Sequence, residues 1–200
     1  MADRYASFAD LAAEATAGVD YRVRAVDRGS QAVILAPHAG TIEPGTGRIA
    51  RAIAGEDLSL YVFEALGPGG FAAFHITSHR FDEPEALALL RRARRAVAIH
   101  GRRDDGSDGV WLGGRDTALR DAIGAALRGA GFAAAVNARL PGLHEANICN
   151  RTRSGAGVQL ELPLCLRREL GADPGRCRAF AAAVREALRG GGPQARLTRT

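Results

Sequence analysis

The chain has 200 residues, 46% hydrophobic and 24% charged, with a formal net charge of +5. Its three cysteines, Cys149, Cys165 and Cys177, show no CxxC spacing and are odd in number, which excludes a disulfide framework and points to a reducing compartment. No run approaches the roughly 20 apolar residues of a membrane span, and the opening MADRYASFADLAAEA has acidic residues and no apolar h-region, so the chain reads as cytoplasmic, without signal peptide or membrane partner.

All 27 basic residues are arginine, the usage expected of a GC-rich genome, so a single arginine carries little weight. The arginines are interspersed with acidic residues, and aromatics make up only 6% of the chain, which disfavours nucleic acid as the main partner. A polyanionic substrate suits the same charge.

Apolar spacing predicts a helix over Tyr5–Ala15, and YRVRAV at 21–26 alternates as an edge strand. Gln31–Ala36 is a buried central strand that stops at Pro37, leaving His38 at its carboxyl end and a glycine-containing loop that delivers Glu43. Pro44 opens a short helix running over Thr46–Ala54 to Gly55. Leu58–Leu66 and Phe71–Thr77 read as strands joined by GPGG in an antiparallel pair. A helix over Glu83–Arg95 follows, with Asp82 as N-cap and Pro84 in its first turn, and AVAIH at 96–100 is a second apolar run ending in a histidine.

Further on come a polar turn at 104–108, a strand at Val110–Leu112, a helix at Asp116–Gly129 and a strand at Ala133–Val136. Asn147–Gly157 has turn chemistry. Val158–Leu162 places Gln159 and Glu161 on one face and Leu160 on the other. A helix over Arg178–Arg189 closes the pattern. The expected fold is α/β: a single domain over residues 1–190, a mixed parallel and antiparallel sheet flanked by helices on both faces, then a flexible tail over 191–200.

Ligands bind at the carboxyl ends of strands in open α/β sheets. His38, Glu43 and His100 can meet there, and two imidazoles plus a carboxylate are the protein ligands of a catalytic zinc that keeps one position for water. Zinc lowers the pKa of its water to about 7 and polarises a carbonyl. Such a site needs a base, and Glu161 is the carboxylate chosen. Taken singly, a strand-end histidine is more often structural, and Glu161 alone could pair with an arginine. Cys149 near His144 is a weak thiol-nucleophile candidate, and DDGSD lacks the length of a calcium loop.

The stretches APHAGTIEPGT, AIAG, HITSHRFDEP, AIHG, GGRD, NICNRTRSGAGVQLELP and LRREL, over residues 32 to 170, resemble the poly-γ-glutamate hydrolase family, which has phage and bacterial members once described as phage-related replication proteins. The resemblance implies a compact, zinc carboxypeptidase-like fold and a zinc-dependent hydrolase of γ-glutamyl amides. It implies His38, Glu43 and His100 as ligands and Glu161 as base. Asn150 and Arg151 resemble the Asn-Arg pair that holds a substrate carboxylate in zinc carboxypeptidases. Arg80 is a second carboxylate candidate, and His75 and His79 are expected to line the cleft or polarise the carbonyl. Ala39 stands where the family loop has glycine, and a positive φ there would displace the loop. The expected partner is a γ-glutamyl polymer or a small acidic amide, and the expected state a monomer. Two alternatives remain: a zinc amidohydrolase of a small N-acyl amino acid, and a non-catalytic nucleic-acid-binding phage protein.

Overall fold

Apolar runs of strand length, separated by amphipathic stretches, assemble around one sheet in the computed structural model, which describes residues 3–190. The expected tail over 191–200 lies outside the described residues. In chain order the elements are α1 (Phe8–Glu14), β1 (Tyr21–Val26), β2 (Ala32–Gly40), α2 (Thr46–Ala54), β3 (Ser59–Ala65), α3 (Gly70–Phe74), α4 (Pro84–Arg92), β4 (Arg95–Arg102), β5 (Val110–Gly113), α5 (Thr117–Gly129), β6 (Ala134–Val136), β7 (Val158–Pro163), α6 (Leu164–Ala172) and α7 (Pro174–Gly190). A 3-10 turn at Ile148–Asn150 precedes β7. No helix among the described residues is long and apolar enough to cross a membrane.

The seven strands lie in the order β1-β3-β2-β4-β7-β5-β6. The inner strands β3, β2, β4 and β7 are mutually parallel, while β1 joins β3 and β5 joins β7 antiparallel. The mixed α/β sheet expected from the pattern is therefore present. From β2 the chain leaves through α2 to β3 on one side, then returns through α4 to β4 on the other. That reversal opens a crevice at the carboxyl end of β2, the usual ligand position in such sheets.

Each face carries its own core. Ile34 and Ala36 of β2, Val97 and Ile99 of β4, and Leu160 and Leu162 of β7 pack with Ile49, Ile53, Leu119, Ile123, Phe180 and Val184 from α2, α5 and α7. The opposite residues, Val33, Leu35, Ala96 and Ala98, pack with Leu11, Phe63, Phe74, Phe81 and Leu90. Burying both faces explains why the inner strands are continuously apolar instead of alternating.

Several local expectations are corrected. Phe71–Thr77 is not a strand: Gly69 and Gly70 adopt φ of 94° and 45°, turning the chain into α3, which packs Phe74 inward. Consequently β3 pairs with β1 and β2, not with a GPGG hairpin partner. The N-cap of α4 is Glu83, whose carboxylate accepts from Ala86 N at 2.9 Å. Asp82 instead accepts from Phe8 N at 2.7 Å, tying down α1. Pro44 precedes α2 in the turn, and α6, directly after Pro163, is an additional helix. Ala39 causes no strain, because no residue other than glycine has positive φ among the described residues; the positive φ of 72° falls on Gly40.

Candidate metal and catalytic site

The strand that carries His38 does not stop at Pro37. It continues to Gly40, and what happens at Pro37 decides where the histidine points. Strict alternation would send His38 to the side of Ile34 and Ala36. Instead, β2 holds one extra residue against β3 between Ala36, opposite Val62, and Ala39, opposite Glu64. A bulge here accommodates the proline, which has no N–H to give the ladder, and re-aims the following side chain. Ala39 rejoins the face of Ala36, and His38 turns to the other face, its ring 6.0 Å from that of Phe81.

His100 and Glu161 reach that same face by simple alternation, and they are direct cross-strand partners between β4 and β7. Glu43 arrives by a tight return in which its N–H donates to His38 O at 2.8 Å. Thr46 holds the Glu43 carbonyl with its hydroxyl at 2.9 Å, just where α2 starts. His38, Glu43, His100 and Glu161 are all buried, on the floor of a cleft of about 1180 Å³.

The bonding of His38 fixes its tautomer. Its Nε2 lies 2.8 Å from Ile76 O, which only accepts, so Nε2 carries the proton and Nδ1 of the neutral ring is a bare lone pair. That lone pair faces Glu43 Oε1 at 3.2 Å and His100 Nδ1 at 3.2 Å. His100 Nδ1 is also 3.7 Å from Glu43 Oε2. Lone pair facing carboxylate oxygen is repulsive unless something positive sits between them. Donors about 2.0–2.1 Å from a tetrahedral zinc stand about 3.3 Å apart, close to these spacings. The donor set therefore fits zinc in kind and in distance, and Gly101 N, donating to Glu43 Oε2 at 2.8 Å, holds the carboxylate in place.

Electrostatics show the same demand for positive charge between these groups, met in the metal-free chain by protons on the rings. Burial alone would raise the pKa of Glu43, but the His38 and His100 rings overcome it and hold the carboxyl well below its ordinary range. Burial also opposes charge on His100, yet Glu161 and Glu43 outweigh it and raise its pKa. Glu161 is raised, chiefly by burial, with His100 the main opposing influence. A carboxylate so placed is a stronger base than an exposed one.

Glu161 is also oriented. Gln159 donates to Glu161 Oε1 at 3.0 Å and accepts from Asn147 Nδ2 at 2.9 Å. Gln159 was visible in the sequence as a second polar residue on the same face of an apolar strand, but its role was not assigned there. Two buried arginines were missed altogether. Arg167 donates to Pro44 O, Leu162 O and Arg102 O at 2.6, 3.2 and 3.0 Å, stitching the Glu43 loop to the ends of β4 and β7. Arg102 packs 4.0 Å over the Trp111 ring and binds Asp105 at 2.7 Å.

His75 adjoins the floor as well, its ring 4.4 Å from that of His38. Potential ligand atoms of His38, Glu43 and His75 all lie within 4.8 Å of one another. Asp3 binds His75 Nδ1 at 2.7 Å and Thr77 N at 2.8 Å. Burial and the neighbouring His38 push His75 down to about 4. The neutral ring thus donates Nδ1–H to Asp3 and keeps a bare Nε2, an acceptor unsuited to polarising a carbonyl oxygen. Asp3, in the N-terminal segment, carried no sequence signal for this role.

His79 lines the cleft, with its ring 5.0 Å from His144 across it. Arg80, Asn150 and Arg151 do not line it. Asn150 is spent on the fold: Oδ1 accepts from Gly157 N at 3.1 Å, and Nδ2 donates to Gly142 O and His144 O at 2.8 and 2.9 Å. Arg151 lies before β7, beside a segment whose Arg153 N bonds Ala93 O ahead of β4. That is the end of the strands opposite His100. Arg80 is exposed outside the cleft. Cys149 is fully buried and its thiol is pushed well up by burial, which removes the thiol-nucleophile alternative.

Comparison with known proteins gives concordant results. A family model described as poly-gamma-glutamate hydrolase matches residues 5–181. The SPbeta prophage-derived UPF0714 protein YoqZ of Bacillus subtilis (strain 168) is 37% identical over 172 residues, covering 84% of this chain and 62% of that protein. The chain spans about three fifths of the length of the curated relatives it matches, 62% of YoqZ and 60% of YndL. Among solved structures, a bacteriophage poly-gamma-glutamate hydrolase superposes with a TM-score of 0.89 at 34% identity, covering 94% of this chain and 98% of that one. The zinc-free apo form of YndL superposes with a TM-score of 0.87 at 28% identity, with the same coverages of 94% and 98%. With a match running through nearly the whole described chain, sequence and fold agree that this protein belongs to the poly-gamma-glutamate hydrolase family.

Proposed function

We propose that the chain is a zinc-dependent hydrolase that cleaves γ-glutamyl amide bonds, with poly-γ-glutamate as its substrate. The observation that carries this reading is the buried trio of His38, Glu43 and His100, whose facing donor atoms lie 3.2 to 3.7 Å apart, with the Nδ1 lone pair of neutral His38 turned on the Glu43 carboxylate. The family description and the likeness to a bacteriophage poly-gamma-glutamate hydrolase support the substrate class. The zinc-free form of YndL supports the choice of metal.

His38, Glu43 and His100 would hold the zinc, which supplies the Lewis acidity that makes water nucleophilic near neutral pH and polarises the scissile carbonyl. Glu161 takes the proton of the attacking water as the new C–O bond forms, then gives it to the amine nitrogen as the C–N bond breaks. Its raised pKa suits both halves of that transfer. Gln159 holds the carboxylate for the first half, and the buried floor strengthens each electrostatic contact. His75, fixed by Asp3, presents its bare Nε2 beside the floor as an acceptor for a substrate N–H.

The Glu161→Gln variant tests the mechanism. It is expected to retain zinc and to lose hydrolysis of poly-γ-glutamate by at least about 1,000-fold, reflecting the loss of a general base. Hydrolysis within tenfold of the parent would remove Glu161 from the mechanism. No turnover of γ-glutamyl polymers by the parent, alongside cleavage of small N-acyl glutamates, would favour the small-molecule amidohydrolase instead.

A further inference from the structure

We infer that Arg103, Arg139 and Arg168 form a carboxylate-binding rim on this cleft, and that Phe71, Leu140 and Leu143 carry the apolar stretches of the same chain between them. The inference rests on the hydrolase reading for the identity of the polymer, but the rim itself is an observation about charge and exposure. All three arginines line the cleft and are exposed. None of their guanidinium groups has an ion-pair or hydrogen-bond partner among the described residues. Exposed arginines without a partner occur elsewhere too, Arg24, Arg91 and Arg153 among them, so what sets Arg103, Arg139 and Arg168 apart is that they share one cleft. The carboxylates in the cleft lining are Glu43 and Glu161, both buried on the floor. Asp104, which accepts from Cys165 N at 2.9 Å, is near enough to Arg168 to be stabilised by it but forms no ion pair with it, so the guanidinium groups stay free to take a ligand carboxylate.

Apolar exposure is concentrated at the same place. Phe71, Leu140 and Leu143 are 46%, 40% and 54% exposed, and three of the five large exposed hydrophobic side chains among the described residues thus border this one cleft. A rim that combines guanidinium groups with apolar surface complements a chain whose carboxylates are separated by methylenes. Arginine takes carboxylate bidentately, through a fixed fork of N–H donors. A nucleic acid would call for phosphate contacts with several large aromatic faces for bases, and the cleft lining has no Tyr or Trp and a single Phe, Phe71, already stacked at 4.0 Å on His75. The volume of about 1180 Å³ exceeds what a single small ligand fills, so several residues of a polymer fit together. The arginines that bind substrate carboxylates are thereby assigned to the loops after β4 and β6 and to α6, in place of Arg80 and Arg151.

The test measures binding apart from turnover, using the Glu161→Gln protein and a fluorescent poly-γ-glutamate of defined length, titrated at low and at physiological salt. Each of Arg103→Ala, Arg139→Ala and Arg168→Ala is expected to weaken binding about three- to fivefold, and the triple variant about 30- to 100-fold, as for separate exposed charge contacts that add. The triple variant should also show a shallower dependence on salt. A control triple at exposed arginines away from the cleft, Arg24→Ala, Arg91→Ala and Arg153→Ala, removes the same charge and is expected to bind within twofold of the parent. Equal losses in both triples would reduce the effect to overall charge and overturn the rim, as would unchanged affinity in the cleft triple. Tighter binding of a DNA oligonucleotide than of the polymer would overturn the carboxylate assignment. If the parent fails to hydrolyse the polymer while the cleft triple alone loses binding, the rim stands and the hydrolase reading falls; hydrolysis with an unchanged KM in the cleft triple gives the reverse.

Discussion

Replacing Arg167 with methionine examines how the site is held in place. The guanidinium joins three backbone carbonyls, Pro44 O, Leu162 O and Arg102 O, at 2.6, 3.2 and 3.0 Å. No other side chain spans these three segments in the bonds of the described residues. Charged donors to backbone oxygen contribute about 1.5 kcal/mol each net, or about 4.5 kcal/mol together. Methionine keeps most of the aliphatic packing, and freeing a cation whose pKa burial already lowers returns about 1–2 kcal/mol. The expected loss is about 3 kcal/mol. For a chain of this size that corresponds to a fall in Tm of about 6–12 °C, or to a matching shift in urea midpoint at constant m. Arg167→Lys, which can reach one or two of the carbonyls, should fall between. A methionine variant within about 1 kcal/mol of the parent would refute the claim that this side chain holds the Glu43 loop against the strand ends.

Ala39→Gly should destabilise by about 1 kcal/mol, because it deletes a buried methyl at a position whose φ is not positive and adds backbone freedom; equal or higher stability by urea denaturation would contradict this. In the metal-stripped protein His75 contributes a loss of stability as pH falls from about 6.5 to about 4, opposed by Glu161, whose pKa is raised by burial. His75 has its pKa lowered to about 4, so the unfolded chain takes up the proton first, and the stability present above the unfolded pKa disappears over that window. Glu43, also depressed, continues the loss below the ordinary carboxylate range. In His75→Gln the upper part of the decline should flatten, and an unchanged profile would remove His75 as its source.

Periodicity and strand endings made much of the site legible. His100 and Glu161 end up side by side because each follows simple alternation along an apolar strand, which can be read without coordinates. His38 shows the limit of that reading. Its strand reads as stopping at Pro37, whereas a bulge lets the strand run on and turns His38 to the face that carries His100 and Glu161; bulges depend on the neighbouring strand, here β3, and leave no local pattern. FAAFHIT at 71–77 reads as a strand from its β-rich composition, but the positive φ of Gly69 and Gly70 and the packing of Phe74 turn it into α3. Arg80 and Arg151 fall outside the cleft lining for a related reason. Arg151 was chosen by motif and Arg80 by its place in a shared stretch, but cleft position depends on which end of the sheet a loop reaches, and Arg103, Arg139 and Arg168 come from three segments distant in sequence. Asp3 and Arg167 act through contacts 72 and 123 residues away, beyond any local signal.

Zinc titration of the metal-stripped chain tests the central claim most directly, with His100→Ala and His75→Ala compared in the same competition assay. One equivalent is expected to bind the parent, with affinity reduced at least about 100-fold in His100→Ala and less than tenfold in His75→Ala. No stoichiometric binding by the parent would contradict the metal site, and a larger loss in His75→Ala than in His100→Ala would replace the proposed ligand set with His38, Glu43 and His75.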